Sequence, residues 1–142
     1  MAKGELFWDL LIEHLKIDAE KLESQKEKIC EALRSDFSDE ISKDLSIEQL
    51  MALNEKIENE KYGKRNFLEK ISKLDDGSFE VRLISYQCPF QQIAAKNPRV
   101  CKIHEMHYRG FGELCGWDFK LKSFNPKKVD CIHLLNVKRI DE

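Results

Sequence analysis

The chain has 142 residues, 42% hydrophobic and 35% charged, with a net charge of −2. That balance allows a buried core and free solubility, and no apolar run approaches the ~18 residues of a membrane-spanning helix. Residues 1–63 carry 9 Lys/Arg against 16 Asp/Glu and residues 64–142 carry 15 against 10, so the first half is a poor surface for nucleic acid and the change of sign marks an expected boundary.

The opening MAKGELFWDLLIEHL has acids inside its apolar stretch and no small-residue cleavage site, which reads as a cytoplasmic protein without a secretion signal. Phe7, Leu10, Leu11, His14 and Leu15 recur at helical spacing and predict a short amphipathic helix over 5–16. Asp18 can cap a second helix reaching about Asp36, with Leu22, Ile29, Leu33 and Phe37 on one face. Ser46, followed by Glu48 and Gln49, opens a third, whose stripe is Ile47, Leu50, Met51 and Ile57 and which Tyr62-Gly63 ends. These helices are thin in apolar residues. Residues 1–62 therefore read as a helical dimerisation arm, with a helical layer packed on the later domain as the alternative.

The period then changes. Runs at 66–73 and 78–87 flank DDGS, a hairpin signal, and Phe79, Val81, Leu83 and Ser85 alternate with Glu80, Arg82 and Ile84. Gln91 to Lys96 reads as a short helical stretch stopped by Asn97-Pro98, and a longer helix follows from about Arg99. Runs at 117–124 and 131–137 flank NPKK as a second hairpin. The expected fold is α+β: the helical arm, then residues 63–142 as a β-β-α-β-β unit whose antiparallel-rich, four-stranded sheet carries a helix on one face.

Four of the five cysteines, Cys88, Cys101, Cys115 and Cys131, fall in this second part, separated by twelve, thirteen and fifteen residues. A cytosolic chain with an odd cysteine count is a poor setting for disulfides, and Cys30, alone in a helical region, reads as a small buried hydrophobe. Zinc sites and ferredoxins space their ligands closely. Wide gaps instead draw ligands from different elements, as for an iron–sulfur cluster assembled only in the folded chain. The competing readings are four buried apolar cysteines, or zinc with Cys and His ligands.

The pattern C-x12-C-x13-C-x15-C, with CP at the first cysteine and NPRVC at the second, resembles the effector domain of SufR-type repressors over roughly residues 64–137. The resemblance implies a cytosolic, homodimeric winged-helix transcription regulator that senses iron–sulfur status through a [4Fe-4S] cluster. The stretch LLIEHLKIDAEKLESQKEKICEALRSDFSDEISKDL is similar to the dimerisation helices of DtxR/MntR-type metal-dependent repressors. Where that family has metal ligands this chain has Gly4, Trp8, Glu23, Cys30 and Glu31, without the histidines, so only the dimerisation role carries over. No winged helix-turn-helix segment is read in these residues, so DNA contact is expected only through an upstream domain.

Helix geometry limits which thiols can share one cluster. Cys101 and Cys115 lie ~21 Å apart along an unbroken helix. If strand 117–124 runs parallel to strand 78–87, Cys88, Cys101 and Cys131 gather at one end of the sheet and form the first ligand set. Cys115 joins only if the helix breaks at Gly110 and Gly112 of RGFGELCG. Otherwise an exogenous ligand or a histidine completes the site, His104 first, then His107 or His133, each weighed against an ordinary surface or core role.

No phosphate-binding glycine loop, HExxH or GxSxG motif is present. Asp75-Asp76 reads as a turn, and Trp117, Phe119 and Phe124, at strand spacing, as core. The chain is expected not to be an enzyme. The remaining alternatives are a binding module for a small organic ligand, which requires a closed apolar pocket between helix and sheet, and a small enzyme with Cys101 or Cys115 as nucleophile.

Overall fold

The computed structural model of the chain describes residues 22–63, 65–86, 102–124 and 130–140. The described elements are α1 (Leu22–Asp36), α2 (Ile47–Tyr62), β1 (Arg65–Lys73), β2 (Phe79–Tyr86), α3 (Lys102–Cys115), β3 (Trp117–Phe124) and β4 (Asp130–Arg139). The fold is α+β as expected. The predicted helix over 5–16, the Asp18 cap, the stretch 91–96 and the NPKK turn lie outside the described residues.

Local chemistry sets the ends of α2. The Ser46 backbone N–H donates to Gln49 Oε1 at 2.9 Å and the Gln49 N–H donates to Ser46 Oγ at 3.2 Å, a reciprocal cap on two otherwise orphan donors. At the other end Gly63, at φ 69°, takes the left-handed conformation that returns its N–H to Asn59 O. In the first hairpin Asp76 Oδ1 accepts from the Ser78 backbone N–H (2.9 Å) and hydroxyl (2.6 Å). Those bonds favour the carboxylate and hold its pKa below the usual range.

The sheet is ordered β1-β2-β4-β3, every neighbouring pair antiparallel. Since β4 lies between β2 and β3 and opposes both, β2 and β3 run parallel, the orientation on which the cysteine geometry was conditioned. The period-2 alternation reads directly in burial: Val81, Leu83 and Ser85 on β2 and His133, Leu135 and Val137 on β4 are buried. Their neighbours Glu80, Arg82 and Lys138 are exposed.

The charge boundary near Gly63 is not a packing boundary. Ile29, Leu33 and Phe37 of the α1 region and Leu50, Met51, Ile57 and Tyr62 of α2 share one apolar cluster with Val81, Phe111, Phe119, Leu135 and Val137. Within the described residues the helices form a layer on the sheet. Few apolar side chains suffice because the sheet and α3 supply the rest of each contact.

Helix α3 is the centre of this layer, and it runs unbroken through both glycines. Close packing explains them. A Cβ on Gly112 would sit 2.3 Å from the Trp117 carbonyl oxygen, and one on Gly110 would sit 3.0 Å from Cys30 Sγ. The glycines let β3 and α1 approach the helix; they do not interrupt it. None of the described helices is long and apolar enough to cross a membrane.

Gly112→Ala should therefore destabilise the fold by about 2 kcal/mol or more, since backbone cannot yield as a flexible side chain can. Urea denaturation measures this; an unchanged midpoint would mean that α3 is not seated against β3 as described.

Candidate metal centre

At one end of the sheet β2 stops and β4 starts, with Tyr86 opposite Asp130 and Ser85 opposite Cys131. The far end of β3 reaches the same place, Phe124 standing opposite His133. The first turn of α3 arrives there too: the His104 and His133 rings meet edge to face with centroids 5.3 Å apart. Tyr108 Oη lies 3.0 Å from His133 Nδ1 and ties the second turn of the helix to β4. His104 is 7% exposed and His133 2%, so two imidazoles are held away from water at the end where Cys131 lies.

Cys88 comes two residues after Tyr86, and Cys101 directly precedes Lys102. Both lie outside the described residues. Cys115 occupies the opposite end, at the last position of α3, about 20 Å along the axis from Lys102. Its thiol is fully buried in the apolar cluster, and that burial pushes its pKa up to about 11. The break that would have let Cys115 reach the other cysteines does not occur, and Cys115 packs as a core residue.

Cys30 is likewise buried, its pKa raised first by desolvation and then by Glu27. Neither thiol has the depressed pKa of a nucleophile. Among the described residues no group of three or more His, Cys, Asp or Glu side chains is placed to hold a metal ion. His104 and His133 face each other at the end of the sheet where β4, the strand that carries Cys131, begins.

His107 has a structural role. Tyr62 Oη donates to its Nδ1 at 2.8 Å, and its Nε2–H donates to Asn54 Oδ1 at 2.8 Å. The Asn54 amide donates in turn to Glu58 Oε2 at 3.1 Å. All four residues are buried. Desolvation, with Glu58 second, keeps the Tyr62 phenol protonated well above its ordinary range. Sequence reasoning missed this chain, because Asn54 and Glu58 sit in a charged run that reads as a solvated face. The available signal was the i, i+4 spacing of the two within the α2 stripe.

The space between α3 and the sheet holds aromatic rings. Tyr108 stacks on Phe119 at 5.7 Å and Phe111 meets Phe119 at 5.8 Å. A groove of about 520 Å³ instead lies at the surface, between Arg109 and Glu113 on the helix and Asp118, Lys138 and Arg139 on the strands. Mixed charge and exposed walls are unlike the closed apolar pocket that an organic-ligand module requires.

No protein-family model matches the chain, and neither a curated protein nor a solved structure is significantly similar to it.

At pH 8 a thiol with a pKa near 11 is ionised to roughly one part in a thousand, about a hundredfold less than one of ordinary pKa near 9, and burial slows reagent access further. Cys115 should thus resist iodoacetamide in the native protein and react once urea unfolds it. Rapid labelling of native Cys115, followed by peptide mass spectrometry, would contradict its assignment to the core.

Proposed function

We propose that the chain is the effector region of a cytosolic, homodimeric transcription regulator that senses iron–sulfur status through a [4Fe-4S] cluster. Cys88, Cys101 and Cys131 supply its thiolates, and His104 or a small exogenous ligand takes the fourth iron. One observation carries the reading: the end of β2, the start of β4 and the first turn of α3 converge at a buried, polar end of the core, and all three proposed thiols lie on or within two residues of those element ends. The net positive charge of residues 64–142 suits an anionic, thiolate-ligated cluster.

In this account the bound cluster cross-links a strand end, a helix start and a second strand that are distant in sequence. Its oxidative loss leaves the apolar body folded and frees one end. That change of order alters the spacing of DNA-binding heads carried by an upstream winged-helix domain. A second reading, zinc on the same cysteines with a histidine, is favoured by the facing pair His104 and His133.

Anaerobic reconstitution with iron and sulfide decides between them. The wild type should take up about four irons and four sulfides per chain and turn brown. Cys88→Ser and Cys131→Ser should retain less than about half of that iron, whereas Cys115→Ser keeps all of it. A Cys131→Ser variant that still holds a full cluster would overturn the ligand assignment, and tight uptake of zinc alone would favour the second reading.

A further inference from the structure

β3 is an outermost strand of the sheet, with β4 on one side and, among the described residues, no strand on the other. The Ile140 N–H donates to Gly116 O at 3.0 Å. In the antiparallel register that bond turns the backbone groups of Gly116, Asp118 and Lys120 toward β4, and those of Phe119 and Leu121 toward the open edge. The Trp117 carbonyl, which turns the same way, packs against Gly112. Two grooves, of about 520 and 280 Å³, leave space between α3 and this edge, and Arg109 and Asp118 line both. An open edge is a template for another strand, and lysines along it ordinarily deter pairing. Lys120 and Lys122 are exposed here, but so is Asp118, two residues from Lys120 on the face of the sheet away from the helices.

We propose that two copies of the chain pair through β3, antiparallel about a two-fold axis beside Phe119, so that one sheet runs through both. The inference rests on the homodimer of the reading above and names its surface. Phe119 of each copy exchanges N–H and C=O with Phe119 of the other. That register sets Asp118 opposite Lys120 of the other copy, and the symmetry repeats the pair. Both pairs fall at positions without mutual hydrogen bonds, where opposed side chains approach most closely. Lys138 already stands opposite Asp118 within the chain, so each aspartate comes to lie between two lysines. Moving the axis one residue either way brings Asp118 against Asp118 or Lys120 against Lys120. Charge therefore selects one register, and the aspartate converts an edge that would repel its own copy into one that accepts it.

The test is a charge swap on the full chain, with Asp118→Lys, Lys120→Asp and the double variant compared with wild type by sedimentation across a dilution series at low salt. Both side chains are exposed, so each variant should keep the fold, which a thermal melt checks. Wild type should sediment as a dimer. Either single swap turns both symmetric pairs from attractive to repulsive and should weaken the dimer roughly tenfold or more, and the double should return to within about threefold of wild type. A wild-type dimer that neither single swap weakens would overturn the inference and leave the homodimer standing on another surface. Weakening by the single swaps without recovery in the double would overturn the register and the inference with it. Wild type that stays monomeric at every concentration would overturn the homodimer and the inference together, with the cluster reading still to be judged by iron and sulfide uptake.

Discussion

The unbroken backbone pairing of β2 with β4, from Phe79 opposite Val137 to Tyr86 opposite Asp130, is the constraint on which the rest of the molecule depends. The two strands are joined by more than forty residues of sequence, so their pairing is a long-range contact and must be specified by the pattern of side chains. Period 2 makes that specification sharp: a slip of one residue would turn Leu135 and Val137 outward and bring Asn136 and Lys138 into the core. The register that buries Val81 against Leu135 also sets Ser85 opposite Cys131 and Leu83 opposite His133. Packing in the middle of the sheet thus fixes which polar groups meet at its end.

Helix α3 reads the same register from above. Phe111 and Tyr108 pack on Phe119, while Tyr108 Oη and the His104 ring engage His133. The body of the core is aromatic and aliphatic, and two of its polar groupings differ in character. One is the chain Tyr62–His107–Asn54–Glu58, in which each hydrogen bond satisfies the next group and α2 is pinned to α3. The other lies at the strand ends and contains a serine hydroxyl without a partner. A satisfied network explains itself as structure, whereas the Ser85 hydroxyl at one end of the sheet and the Trp117 indole nitrogen at the other are each buried without a hydrogen-bond partner.

Much of the architecture was legible in the sequence because local chemistry and tertiary packing agree. The Ser46 cap, the Gly63 stop, the DDGS hairpin and the alternation from Phe79 to Ser85 each specify an element by short-range rules, and each is found. The glycines of RGFGELCG were ambiguous, since glycine marks both a helix break and a close approach. Only the three-dimensional fact that the Trp117 carbonyl presses on Gly112 separates the two, and with it goes the place of Cys115 in the site. Charge patterning suggested a boundary at Gly63 because it reports on the solvent-facing side of each helix, whereas the shared core lies on the other side. The buried roles of Asn54, Glu58 and His107 could not be read from composition: a polar residue declares its burial only through partners brought from elsewhere in the chain.

The central claim is that one end of the fold, and not the other, is tied together by an iron–sulfur cluster. Amide hydrogen exchange of the cluster-loaded and metal-free proteins, compared under anaerobic conditions, tests it most directly. The account predicts slower exchange on loading at Ile84–Tyr86, at the first two turns of α3 and at Cys131–His133, with no change around Cys115–Phe119 and Val137–Arg139. Protection spread evenly over the chain, or centred on the Cys115 end, would contradict it.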